Sequence, residues 1–170
     1  MINLNLEKYG VVQLMNYTDL TELESRFVLD MRNHPEINKW MYDTTEISWV
    51  EHCRFIESLK NKKNKICFLV KFNNETIGVI NFNQTTIGEK AAEFGLYANP
   101  YISVPGVGRI LEETSMLYAS TFLKVEALKL EVFSENRQVI NLHKKYGFHI
   151  AGYKSVNNKE VIQMQKKIGI

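Results

Sequence analysis

Between Gly10 and Asn16 the chain reads GVVQLMN, and directly after it Leu20, Leu23, Phe27 and Met31 fall three or four residues apart. That change of period predicts a first strand and then a helix that runs to His34-Pro35, where the proline stops it. Trp40, Met41 and Tyr42 lie in the loop beyond. Ser48-Trp49-Val50-Glu51 has the S-x-x-E form of a capping box, in which each end side chain satisfies the other's exposed backbone N–H, and a second helix is predicted from there to about Lys60. KICFLVKF at 65–72 and TIGVINFN at 76–83 are rich in β-branched and aromatic residues and flank Asn73-Asn74-Glu75, which predicts an antiparallel hairpin.

Farther on, AAEFGLYA at 91–98 reads as a strand ended by Asn99-Pro100, and Gly95 inside it signals a bulge or a close backbone approach. Gly106-Val107-Gly108 opens a helix whose Ile110, Leu111, Thr114, Leu117 and Tyr118 share one face as far as about Phe122. LKLEVF at 128–133 is another strand, and a short helix over 137–146 is closed by Gly147, suited to the left-handed position after a helix. The last two strands, 148–155 and 160–166, pair through an Asn157-Asn158 turn. The order of elements predicts an α+β fold on a mixed sheet, with no internal repeat and no linker, so a single domain over 1–170 is expected.

Composition narrows this picture. A chain of 170 residues can bury roughly two-thirds of the surface its unfolded form exposes, enough for one core. Hydrophobic residues make up 45% and charged residues 24%, with three prolines, which excludes a largely disordered chain. The net charge of +2 comes from 21 basic and 19 acidic residues spread along the chain, so no basic stripe marks a nucleic-acid surface. Cys53 and Cys67 match no metal or redox spacing and are expected to be reduced, buried and structural. The first ten residues lack a basic and apolar leader, and no run approaches the length of a membrane span, so a cytoplasmic protein with no membrane partner is expected.

The candidate chemistry begins in Ser103-Val104-Pro105-Gly106-Val107-Gly108-Arg109. Two glycines before a helix let several backbone N–H groups converge on an anion at the positive helix end. No Gly-Lys-[Ser/Thr] follows, which excludes a Walker A loop, and Leu111 stands where a dinucleotide fingerprint needs its third glycine. The second feature is Asn136-Arg137-Gln138-Val139-Ile140-Asn141-Leu142-His143-Lys144-Lys145-Tyr146-Gly147-Phe148, directly after a strand. Taken alone, Asn136 reads as a helix N-cap and His143 as a surface histidine favoured by the helix dipole.

Together and in this order, the glycine loop and the segment after Asn136 resemble the signature of the GNAT acetyltransferases, N-x-x-[AV]-I-x-L-[Y]-x-K-x-G-F, with His143 at the tyrosine position. The resemblance implies a central mixed, mostly antiparallel sheet of about seven strands flanked by about four helices, and acetyl-CoA as co-substrate with no metal. It implies that the backbone N–H groups of Val107, Gly108, Arg109 and Ile110, in the loop that also holds Val104 and Gly106, bind the CoA pyrophosphate, although Ser103 replaces the family's usual Gln or Arg. It also implies that Asn136 and Asn141 bond the pantetheine arm and that Leu96, Tyr97 and Ala98, after Gly95, receive the acetyl end. His143 occupies the place of the family's proton-donating tyrosine and would lie near the thiol; Tyr146 is a second candidate acid. Glu93, His52 and an ordered water are the candidate bases.

For the acceptor, Arg32-Asn33-His34-Pro35, Trp40-Met41-Tyr42, Ser48, His52 and Phe55-Ile56 resemble the pseudaminic acid biosynthesis acetyltransferases. That implies a UDP-linked 4-amino sugar as small-molecule substrate, with Arg32 near the diphosphate, Trp40 or Tyr42 near the uracil, and His52 or Tyr97 near the sugar; His34 and Met41 complete this acceptor group. A peptide or ribosomal-protein N-terminal acetyltransferase and a non-catalytic CoA-binding module stand as alternatives. A monomer or homodimer is expected.

Overall fold

A computed structural model describes residues 1–84 and 90–169. Its strands are β1 (Ile2–Leu6), β2 (Gly10–Asn16), β3 (Lys65–Phe72), β4 (Glu75–Asn83), β5 (Ala91–Ala98), β6 (Ala127–Phe133), β7 (His149–Val156) and β8 (Lys159–Lys167). The α-helices are α1 (Glu22–Asn33), α2 (Pro35–Asn38), α3 (Trp49–Leu59), α4 (Val107–Tyr118) and α5 (Arg137–Lys145). Among the described residues, the strands form one eight-stranded sheet in the order β1-β2-β3-β4-β5-β6-β8-β7. Every neighbouring pair is antiparallel except β5 and β6.

The sheet has one strand more than the seven expected. Leu4 and Leu6 are buried while Asn3 and Asn5 are exposed, and β1 seats Leu4 opposite Val12 of β2. Pro35 does more than end α1: His34 closes that helix, and Pro35 then stands in the first turn of the short α2, where its missing N–H costs nothing. The capping box at α3 is present, with Ser48 N–H donating to Glu51 Oε2 at 2.8 Å and Glu51 N–H to Ser48 Oγ at 3.1 Å. Both hairpin turns put two consecutive asparagines at positive φ, Asn73 and Asn74 at 51° and 64°, Asn157 and Asn158 at 52° and 61°. Asparagine tolerates this conformation better than most residues.

Helices cover the sheet on both faces. Phe68 and Val70 of β3 face the main core with Leu111 and Tyr118 of α4 and Ile140 of α5, while Cys67 and Leu69 face a second cluster with Val28 and Met31 of α1. Burial on both sides explains why β3 and β4 read as continuous apolar runs rather than alternating ones. One departure from a regular sheet matters for function. The parallel β5 and β6 pair only at Ala91 with Ala127, Ala92 with Leu128 and Glu93 with Lys129; beyond Glu93 they separate.

Candidate functional site

The gap between β5 and β6 opens a continuous cleft of about 1360 Å³, larger than a typical drug-sized pocket. Phe94 to Ala98 of β5 form one wall, and the other runs from Leu130 to Phe133 on β6 into Asn136 and the inner face of α5. From Phe94 onward β5 keeps its partner β4 on one edge and has none from β6 on the other. Its backbone there can offer N–H and C=O groups to a ligand laid alongside as an extra strand would be. Gly95 lies opposite Asn81 of β4, and an added Cβ would come 3.1 Å from the Asn81 amide nitrogen. The missing side chain thus leaves room for the Asn81 amide, which lines the cleft.

At one end of the cleft stands the N-terminus of α4. Gly106 caps it with φ of 84°, and no side chain caps the free N–H groups. Ile110 N–H donates to Gly106 O at 3.1 Å and its side chain is buried, so it is spent inside the helix. This corrects the expected set of four anion donors to Val107, Gly108 and Arg109, which line the cleft together with Val104 and Gly106. A Cβ on Gly108 would stand 3.2 Å from Leu142 Cδ2, so the small residue lets α4 approach α5. Arg109, Arg137 and Lys145 add positive charge along this end. The last two lie in the Asn136–Phe148 segment but were not among the expected binding residues.

Asn136 is buried at the N-cap position of α5, yet its side chain makes no capping bond. Asn136 and Asn141 both line the cleft. His143 does too, and it is buried rather than on the surface: its Nδ1 lies 2.8 Å from Glu112 Oε1 of α4, and its ring meets Phe94 and Phe148. Tyr146 faces elsewhere, outside the cleft lining, where burial first and Glu113 second push its hydroxyl up to about 12. Glu93 is exposed on β5 and also lies outside the lining.

The opposite end is built from α1, the 39–47 segment, α3 and the outer face of the sheet. Arg32, Trp40, Met41, Tyr42, His52 and Tyr97 come together there, with Tyr17 and Glu131. Arg32 donates to Asn38 Oδ1 at 2.9 Å and to the Asp43 carbonyl at 3.4 Å, so the guanidinium braces the loop it shares the cleft with. Tyr42 donates to Glu131 Oε1 at 2.8 Å, and Asn157 Nδ2 donates to the Tyr42 carbonyl at 2.7 Å. Burial and the Glu131 carboxylate raise the Tyr42 hydroxyl, while Lys154 and Tyr42 help hold Glu131 below its ordinary value against the opposing effect of burial. Tyr97 is pushed up to about 12 by burial and is hydrogen-bonded to Tyr17. His52 is buried 3.4 Å from Ser25 Oγ. His34 lies outside the cleft, with Nδ1 accepting from Glu36 N–H and its ring edge on Tyr101.

Cys67 is buried as expected, its thiol pushed up to about 11 by burial, but Cys53 is exposed on α3, contrary to the reading of both as buried. Among the described residues no group of three or more His, Cys, Asp or Glu side chains could hold a metal, and no helix is long and apolar enough to cross a membrane.

Comparison with known proteins accords with this geometry. Residues 12–163 match the family model described as an acetyltransferase (GNAT) domain. The chain is 40% identical over 140 residues to Acetyltransferase PseH of Campylobacter jejuni, covering 82% of this chain and 86% of that protein. The crystal structure of Campylobacter jejuni N-acetyltransferase PseH in complex with acetyl coenzyme A superposes with a TM-score of 0.75 and 31% identity, over 92% of this chain and 98% of that one. Spermidine N-acetyltransferase from Vibrio cholerae, in complex with CoA and spermine, gives a TM-score of 0.81 at 20% identity, over 92% and 95% of the two chains. At that identity the likeness shows the fold alone.

Proposed function

The chain belongs to the GNAT acetyltransferase family and is an acetyl-CoA-dependent N-acetyltransferase, and on that premise we propose that its acceptor is the 4-amino group of UDP-4-amino-4,6-dideoxy-N-acetyl-β-L-altrosamine, in cytoplasmic pseudaminic acid biosynthesis. The observation that carries this reading is the continuity of the cleft. An anion-binding helix end lies at one end of it, and Arg32 with Trp40 and Tyr42 lies at the other. A guanidinium suits a diphosphate through its planar fork, and an indole or phenol ring can stack on uracil. The similarity to Acetyltransferase PseH supports the same reading.

In this mechanism the α4 N-terminus binds the CoA pyrophosphate, and Asn136 and Asn141 bond the pantetheine arm. Backbone N–H groups of β5 between Leu96 and Ala98 polarise the thioester carbonyl. The neutral sugar amine attacks the carbonyl carbon directly, with no acyl-enzyme, and the C–S bond breaks. His143 gives its proton to the departing sulfur, and water accepts the proton lost by the amine.

Mass spectrometry of products from acetyl-CoA with the UDP-linked amino sugar, the free amino sugar, spermidine and peptide amines tests the acceptor. The UDP-linked sugar is expected to be acetylated by far the fastest; equal turnover of the free sugar overturns the reading. Arg32→Ala is expected to cost about 1.5 to 3 kcal/mol in kcat/KM for the UDP-sugar, with KM for acetyl-CoA nearly unchanged. Asn38→Ala releases the loop brace while keeping the guanidinium. An equal loss in Asn38→Ala assigns Arg32 to bracing instead of diphosphate recognition.

A further inference from the structure

We propose that Glu112 is a positioning residue for proton transfer, holding His143 in the one tautomer and orientation that turn Nε2 to the leaving thiolate. The proposal rests on His143 as proton donor in the acetyl transfer described above and adds a residue outside the substrate-binding set. Glu112 lies on the core side of α4 with no solvent exposure. Its Oε1 takes the His143 Nδ1 at 2.8 Å, and its Oε2 is buried without a hydrogen-bond partner among the described residues. A carboxylate at such a place is costly compared with an apolar side chain of similar size, because one oxygen loses water and gains nothing. Packing does not call for it. Its polar engagement is directed at one imidazole.

The geometry of that imidazole explains the arrangement. Phe94 meets the ring at 5.7 Å and 78°, and Phe148 meets it at 5.5 Å and 63°, so two aromatic rings confine it. With Nδ1–H donated to Glu112, Nε2 is the nitrogen left for chemistry, as in other carboxylate–histidine pairs where the carboxylate selects the tautomer. During transfer, the amine nitrogen bonds to the thioester carbon and the C–S bond breaks with its electron pair on sulfur. The imidazolium releases its Nε2 proton to the thiolate, keeping Nδ1–H on Glu112, and recovers a proton from the amide nitrogen through water. The sum is amine plus acetyl-CoA giving amide plus CoA thiol, with the enzyme unchanged.

Nitrogen NMR of the His143 ring in the whole protein tests the first half of this. In the neutral ring Nδ1 is expected to carry the proton, and Glu112→Leu is expected to shift the ring towards the Nε2–H tautomer that free histidine prefers. A wild-type ring with its proton on Nε2 overturns the proposal whatever the acceptor. Kinetics test the second half. Glu112→Gln, which keeps an acceptor oxygen, is expected to lower kcat about 10-fold and Glu112→Leu about 100-fold, with KM for acetyl-CoA within about twofold. Added to His143→Gln, Glu112→Leu is expected to cause no further loss. Additive losses, or a His143→Gln enzyme with wild-type turnover, overturn the proposal. If the UDP-sugar is not the acceptor, the same series on whichever amine is acetylated still decides the role of Glu112, so the two failures are separable.

Discussion

Two buried histidines of the cleft meet different partners. His143 finds a carboxylate at 2.8 Å, whereas His52 finds only the Ser25 hydroxyl at 3.4 Å, and burial holds His52 below the ordinary histidine value. A base whose pKa is depressed on folding binds its proton more readily when unfolded. Its contribution to stability is therefore complete above the unfolded value, near 6.5, and is lost as pH falls from there towards the folded value. Glu131 and Glu24, both depressed, lose their contribution only in the lower carboxylate range. The melting temperature is expected to fall between pH 7 and pH 5, and His52→Gln is expected to shrink that difference; an unchanged difference in the variant assigns the drop to other groups. The sequence made His52 and His143 visible as residues with chemistry, but not their partners. Glu112 is followed directly by Glu113, and such a pair reads as solvated residues, so only the packing of α4 on α5 reveals that Glu112 is fully buried.

At the level of elements, the N-terminus of α4 depends on backbone conformation more than on side-chain contact. A Cβ at Gly106 would meet nothing within 4 Å, but the φ of 84° disfavours any β-branched residue. Gly106→Val is thus expected to keep the fold while tilting Val107, Gly108 and Arg109 away from a common focus. In a thermal-shift titration the native protein should gain about 2.7 kcal/mol at a hundredfold the dissociation constant of acetyl-CoA, and Gly106→Val should gain almost nothing. Undiminished stabilisation in the folded variant removes the loop from the cofactor site. Much at this scale was legible beforehand: the two Asn-Asn hairpins, the box at Ser48 and Glu51, and the helix after the glycines each carry their own local signal. Two elements were not. β1 is only five residues long and alternates leucine with asparagine, so its evidence is its pairing with β2, which lies outside any local window. α2 is a four-residue helix begun by the proline that ends α1.

Across the whole molecule, the sheet is two blocks of strands joined edge to edge by three parallel residue pairs, and the cleft begins where that pairing stops. The loop carrying Tyr42 crosses from the α1 side to the far block, where its hydroxyl reaches Glu131 of β6 and its carbonyl accepts from Asn157 in the β7–β8 turn. Tyr42 also sets its ring edge against Phe133 at 5.4 Å. Acetyl-CoA binding to β5, α4 and α5 would tie the two blocks from one end, and the Tyr42 loop already ties them from the other. Hydrogen exchange reads both ties, since amides that gain a partner or lose mobility exchange more slowly. Acetyl-CoA is expected to slow exchange at 95–98 of β5 and 107–109 of α4 while leaving β1 and β2 unchanged. Tyr42→Phe keeps the ring on Phe133 but removes the bond to Glu131, so the 40–46 loop should exchange faster and KM for the acceptor should rise severalfold, with acetyl-CoA affinity intact. Faster exchange in the loop with an unchanged acceptor KM would mean that the tie is structural and that the acceptor is held by Arg32 and the β-sheet face instead.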